Sequence, residues 1–110
     1  MAASFVMAYF VYILYSSKLD KFYVGQTENV TNRVDFHNDL VRNNIWTKRG
    51  IPWELKVSFN CGSRADAMQL EKKIKNMKSR KLVEFLVGNP EGDLNQLINT
   101  FLMNFKNERG

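Results

Sequence analysis

The sequence has little of what several chemistries require. Its 110 residues include one cysteine, Cys61, and one histidine, His37. A lone cysteine excludes a disulfide within the chain, and that inventory also excludes a zinc cluster. Cys61 makes a poor nucleophile. It precedes Gly62-Ser63 in an expected loop, and His37 is the only imidazole that could activate it. A small semi-buried side chain is the plainer expectation. Internal repeats and low-complexity segments are also missing. The apolar N-terminal stretch, residues 2–15, is shorter than the roughly 20 residues a membrane span needs. It lacks the preceding basic residues of a signal peptide as well. A central strand covered on both faces explains it better. A reducing cytoplasm fits this inventory, and no membrane partner is expected.

What is present is an ordinary globular composition, 45% hydrophobic and 25% charged, in a chain of one-domain length. The net charge is +5, and its distribution says more than its size. Residues 40–83 carry eleven basic and three acidic side chains, a net of +8, while both flanks are slightly negative. A concentrated basic stretch is what a polyanion-binding surface needs, because neutralising phosphates releases counterions. The bland alternative is a solvated lysine-rich helix face.

Two β-rich runs, Tyr9–Tyr15 and Phe22–Gln26, flank a polar turn and predict a hairpin. Side chains alternate across strands, so Phe10, Tyr12 and Leu14 share a face, as do Tyr23 and Gly25. Gly25 marks a place where backbone comes close to another group, or where the strand bends. A helix is predicted over Asn29–Asn43. Val30, Val34, Phe36, Leu40 and Val41 fall on one arc, and Arg33 and His37 lie within it. An inward guanidinium must either meet a carboxylate or line a cleft awaiting an anion. His37 is either a satisfied core histidine or a member of the same site.

Residues 43–52 read as a loop, in which Trp46, Lys48 and Arg49 suit phosphate contact and base stacking. Otherwise Trp46 pins the loop to the core. Strand Trp53–Phe59 alternates, with Trp53, Leu55, Val57 and Phe59 expected inward. A helix from Ser63 carries the stripe Ala67, Leu70, Ile74 and Met77, with Glu71 about 40° from Ala67 at its edge. Glu71 is either a site carboxylate or a routine partner of Lys75. Ser79 caps a short helix, Arg80–Val87. A last helix opens at Asp93-Gln96 and carries Leu94, Leu97, Ile98, Phe101, Leu102 and Phe105 on one stripe. That stripe packs on its own domain or, through residues 93–106, on a second copy or a partner protein. The expected class is α/β: a three-stranded, mainly antiparallel sheet flanked by helices, with an additional C-terminal helix.

Phe10-Val11-Tyr12, ten residues, Tyr23-Val24-Gly25, then Arg33 and His37, form an ordered set. With Trp46-Thr47, Gly50-Ile51-Pro52-Trp53 and Glu71, this set resembles the GIY-YIG nuclease domain over roughly residues 8–87. Phe10 stands where glycine is usual, and Val24 where isoleucine is. The resemblance is closest to small single-domain bacterial members related to the nuclease domain of the excision-repair endonuclease. It implies a nuclease domain over residues 1–88; the C-terminal helix expected over 89–110 from its apolar stripe lies beyond the part that matches. It also implies a Mg2+- or Mn2+-dependent DNA endonuclease of repair or processing. Glu71 would be the metal ligand. Tyr12, Tyr23, Arg33 and His37 would complete the catalytic set, with Tyr12 favoured as base and Tyr23 positioning the water. Lys48, Arg49, Lys72, Lys75, Lys78 and Arg80 are the expected nucleic-acid contacts. A module that binds nucleic acid or a partner without cutting is the alternative.

Overall fold

A computed structural model describes residues 8–109, with side chains described to residue 104. The order is β1 (Phe10–Ser16), β2 (Lys21–Thr27), α1 (Val30–His37), β3 (Trp53–Asn60), α2 (Arg64–Met77), α3 (Arg80–Val87) and α4 (Leu94–Arg109). A 3-10 turn, Trp46–Gly50, lies between α1 and β3. The strands make one antiparallel sheet in the order β2-β1-β3. This is the expected α/β class, with three strands, four helices and the C-terminal helix among them. β1 is central, which explains its unbroken apolar run: Val11, Tyr12, Ile13 and Leu14 are all buried. The part of that run before residue 8 lies outside the described residues. Among the described residues, no helix is long and apolar enough to cross a membrane.

The two faces of β1 feed two cores. Val11 and Ile13 pack with Val57, Phe59, Ala67, Ile74, Leu82, Leu86, Leu94 and Ile98, so α2, α3 and α4 cover that face. Tyr12 and Leu14 pack with Trp53, and Tyr23, Val30, Val34 and Ile51 close around them from the α1 side. β3 departs from the expected alternation. Its register against β1 shifts between Ile13 and Leu14, which pair with Val57 and Leu55. The extra residue is Lys56, and a bulge of this kind reverses the side-chain phase. Trp53 therefore belongs to one core and Val57 and Phe59 to the other, while Leu55 is 41% exposed rather than inward.

Asn29, Ser63 and Ser79 cap α1, α2 and α3, each accepting a hydrogen bond from the backbone N–H three residues on. α1 is shorter than the apolar arc predicts and stops at His37. Polar side chains offer the backbone better partners there. The Asn38 amide both accepts from and donates to the Trp53 backbone, at 2.6 and 2.9 Å. Asp39 Oδ1 accepts from the N–H groups of Val41 and Arg42, at 2.9 Å each. Leu40 and Val41 consequently face solvent. α4 lays Leu94 and Ile98 into the core, and its Phe101 ring lies 5.7 Å from that of Phe85. The last member of its stripe, Phe105, lies outside the described side chains.

Candidate active site

The α1 face of the sheet gathers four of the polar groups singled out in the sequence, Tyr12, Tyr23, Arg33 and His37. Register brings the first two together: Tyr12 pairs with Gly25 and Leu14 with Tyr23 across β1 and β2. The glycine is required by the phenol. A Cβ at position 25 would stand 2.5 Å from both Cζ and Oη of Tyr12. The two tyrosine rings lie 6.2 Å apart, and the His37 ring is 4.8 Å from Tyr23.

His37 is fully buried at the end of α1, and both ring nitrogens are satisfied. Nε2 is 2.9 Å from the Tyr12 hydroxyl and Nδ1 is 2.8 Å from Thr47 Oγ1. The Asn43 amide donates to His37 O and to Thr47 Oγ1, at 2.7 and 3.0 Å. The Trp53 indole donates to the Thr47 carbonyl at 2.6 Å. Burial, with a smaller contribution from the Arg33 charge, pulls the His37 pKa down to about 4. The ring is therefore neutral at physiological pH, and one nitrogen is free to accept. His37 has no exposed surface, and its link to the rest of the group is its bond to the Tyr12 hydroxyl.

Tyr12 is held well above the ordinary phenol pKa, first by burial and then by the charges of Tyr23 and Glu71. The Arg33 guanidinium opposes this through a side-chain hydrogen-bonding interaction and its charge. Arg33 thus does turn toward the site. Its guanidinium stacks on Phe36, 4.4 Å from the ring centre, and it has no ion-pair partner among the described residues. Tyr23 is only half-buried. The Trp46 ring is 5.8 Å from it, edge-on, and the Lys75 ammonium lies 5.3 Å above its ring.

Glu71 comes from α2, which packs beside β2, the edge strand. Its side chain is 18% exposed and its Oε2 lies 2.6 Å from Lys75 Nζ. The routine helical pair is therefore present, but it is also part of the site, because the same ammonium caps Tyr23. Among the described residues no three His, Cys, Asp or Glu side chains gather to hold a metal ion. One accessible carboxylate beside two phenols is a hard oxygen donor set. It fits magnesium or manganese, which use one or two carboxylates and keep several waters, and it does not fit zinc.

The basic residues divide. Lys48 and Arg49 are exposed on the 3-10 turn next to Trp46. Lys75, Lys78 and Arg80 line one cleft with Lys21 and Phe22 beside the site. Lys72 lies on a different side of α2, near Asn95. Arg80 is already committed: it holds Asp20 at 2.8 Å and Glu84 at 3.2 Å, and lies over Phe22. That pairing ties the β-hairpin turn to α3. Thr47, Asn43 and Trp53 build the bonded shell around His37; Thr47 and Trp53 lay in the stretch that resembles the family but carried no assigned role, and Asn43 stood at an expected helix end. Their one signal was polar or indole N–H chemistry in positions the fold buries.

A hairpin with paired tyrosines, a helix bearing arginine and histidine, and a glutamate from a third segment define a nuclease-type α/β fold. The model of the GIY-YIG catalytic domain matches residues 8–83, most of the chain, and the protein belongs to this family. Domains of this family are typically endonucleases and generally use a divalent metal ion. No curated protein matches the chain.

Proposed function

We propose that this protein is a divalent-metal-dependent DNA endonuclease, acting in repair or processing of DNA in a reducing cytoplasm. One observation carries the reading. Tyr12 of β1 bonds His37 of α1, its ring lies 6.2 Å from that of Tyr23 on β2, and the Lys75 ammonium over Tyr23 pairs with Glu71 of α2, so side chains from four elements meet around two phenols.

In this reading Glu71 holds a magnesium or manganese ion, which supplies a bound water of lowered pKa and a polarised phosphate. Arg33, without a carboxylate partner, receives the scissile phosphate and stabilises the charge that develops on it. Tyr23 is the phenol open to water and orients or deprotonates the attacking molecule. Tyr12 is the poorer base because burial keeps it protonated. It anchors the site floor, donating to the neutral Nε2 of His37 when the imidazole proton sits on Nδ1. Lys48, Arg49, Lys75 and Lys78 contact the DNA backbone, while Lys72, on another side of α2, contributes less. Arg80 contributes less, since its guanidinium is already paired.

The test is nicking of supercoiled plasmid by purified protein in Mg2+ or Mn2+. Wild type should nick and chelator should stop it. Glu71→Ala and Arg33→Ala, melting as wild type does, should lose nearly all activity. Equal nicking by wild type and both variants would remove the proposal.

A further inference from the structure

The segment following His37 carries a feature that catalysis leaves unused. Four of the seven exposed large apolar side chains among the described residues fall within residues 40–46: Leu40, Val41, Ile45 and Trp46. Leu40 is 66% and Val41 90% exposed. Isolated apolar residues on a surface are ordinary, whereas a cluster at one place marks an interaction site.

The turn that presents them is well anchored. Asp39 holds the N–H groups of Val41 and Arg42 and pairs with the Arg42 guanidinium at 2.6 Å. Asn43 is buried; it donates to His37 O and accepts from the Ile45 N–H. The same turn is thus fixed to the histidine that bonds Tyr12, and Trp46 at its far end lies against Tyr23. Leu40 and Val41 are thus carried on an ordered turn that runs from the site histidine to Trp46. Beyond them Lys48 and Arg49 have no ion-pair partner among the described residues.

We infer that Leu40 and Val41 form an apolar wedge that enters the base stack of bound DNA next to the scissile phosphate. The inference rests on the nuclease reading and names its substrate class. An exposed apolar tip followed in the same segment by two exposed cations without an ion pair matches a nucleic acid, with phosphates on the outside and base faces within. Aliphatic side chains inserted between base steps unstack them and kink the duplex, at a free-energy cost for each step opened. That cost falls where stacking is already interrupted. The preferred substrate is therefore DNA with a nick, flap or branch rather than continuous duplex.

The experiment uses full-length Glu71→Gln protein and a nicked duplex with 2-aminopurine beside the nick. Fluorescence should rise on binding as the probe base unstacks. Adding Leu40→Ser and Val41→Ser should abolish the rise and weaken binding to nicked duplex by about tenfold or more. Both residues are exposed, so the melting temperature should not change. An equal rise and equal affinity with and without the two serines would overturn the wedge. If wild type also nicks plasmid, that result sinks the wedge alone and leaves the nuclease reading standing. A serine-sensitive rise in a protein that never nicks supports the wedge and sinks the nuclease reading.

Discussion

The two faces of the sheet are built from different materials. On the side of α2, α3 and α4 the buried residues are valine, isoleucine, leucine, alanine and phenylalanine. On the α1 side the core is Tyr12, Leu14 and Trp53, and the buried polar residues Ser16, His37, Asn43 and Thr47 lie with it. Burying a polar group costs free energy unless it is hydrogen-bonded. Each of these four is bonded, to Gly50 O, Tyr12, His37 O and the His37 ring respectively. One face supplies non-directional stability. The other uses directional bonds to fix a phenol, and through it the geometry of the site.

Substitutions should separate the faces. Arg33→Ala or Glu71→Ala should lower nicking by about a hundredfold to a thousandfold, the range for a single electrostatic group at a transition state, with little change in melting temperature. Leu82→Ala, at 0% exposure on the opposite face, should cost roughly 2–5 kcal/mol of stability. Its folded fraction should still cut. Plasmid nicking alongside calorimetry decides both.

Acid should act on the polar face. Between pH 6.5 and about 4 the unfolded chain protonates its histidine while the folded chain keeps His37 neutral. Stability from this group is complete above pH 6.5 and is lost as pH falls toward 4, by roughly 3 kcal/mol in all. Denaturant midpoints across that range should fall in wild type and fall less in His37→Gln.

Gly25→Ala sharpens the contrast at one position. The added methyl must displace the Tyr12 ring, costing about 1–3 kcal/mol and a large share of nicking, measured on the same sample. The smallest expected effect is that of Lys75→Met. Its pair with Glu71 is part-exposed, so the stability change should stay below about 1 kcal/mol. Freed of the competing ammonium, Glu71 should bind Mn2+ a few-fold more tightly by calorimetric titration.

Much of this was legible from pattern alone. The hairpin, the helix starts at Ser63 and Ser79 and the existence of a strand over residues 53–59 follow from local patterning and capping chemistry. The candidate residues Tyr12, Tyr23, Arg33, His37 and Glu71 are singled out by face-sharing and by family resemblance. What escaped depended on contacts distant in sequence. α1 ends at His37 because Asn38 finds the Trp53 backbone fifteen residues away. β3 changes phase because β1 skips Lys56. Thr47 and Asn43 looked like loop residues until the fold buried them around an imidazole.

Glu71, carried by α2 beside the β2 edge, is the group at which a divalent ion must bind if the protein cuts DNA as proposed. A crystal grown with Mn2+ and examined by anomalous scattering tests this most directly. The prediction is one manganese peak coordinated by the Glu71 carboxylate, facing Tyr23, with Lys75 displaced. A peak elsewhere, or none at Glu71 while the Lys75 pair persists at saturating Mn2+, would contradict it.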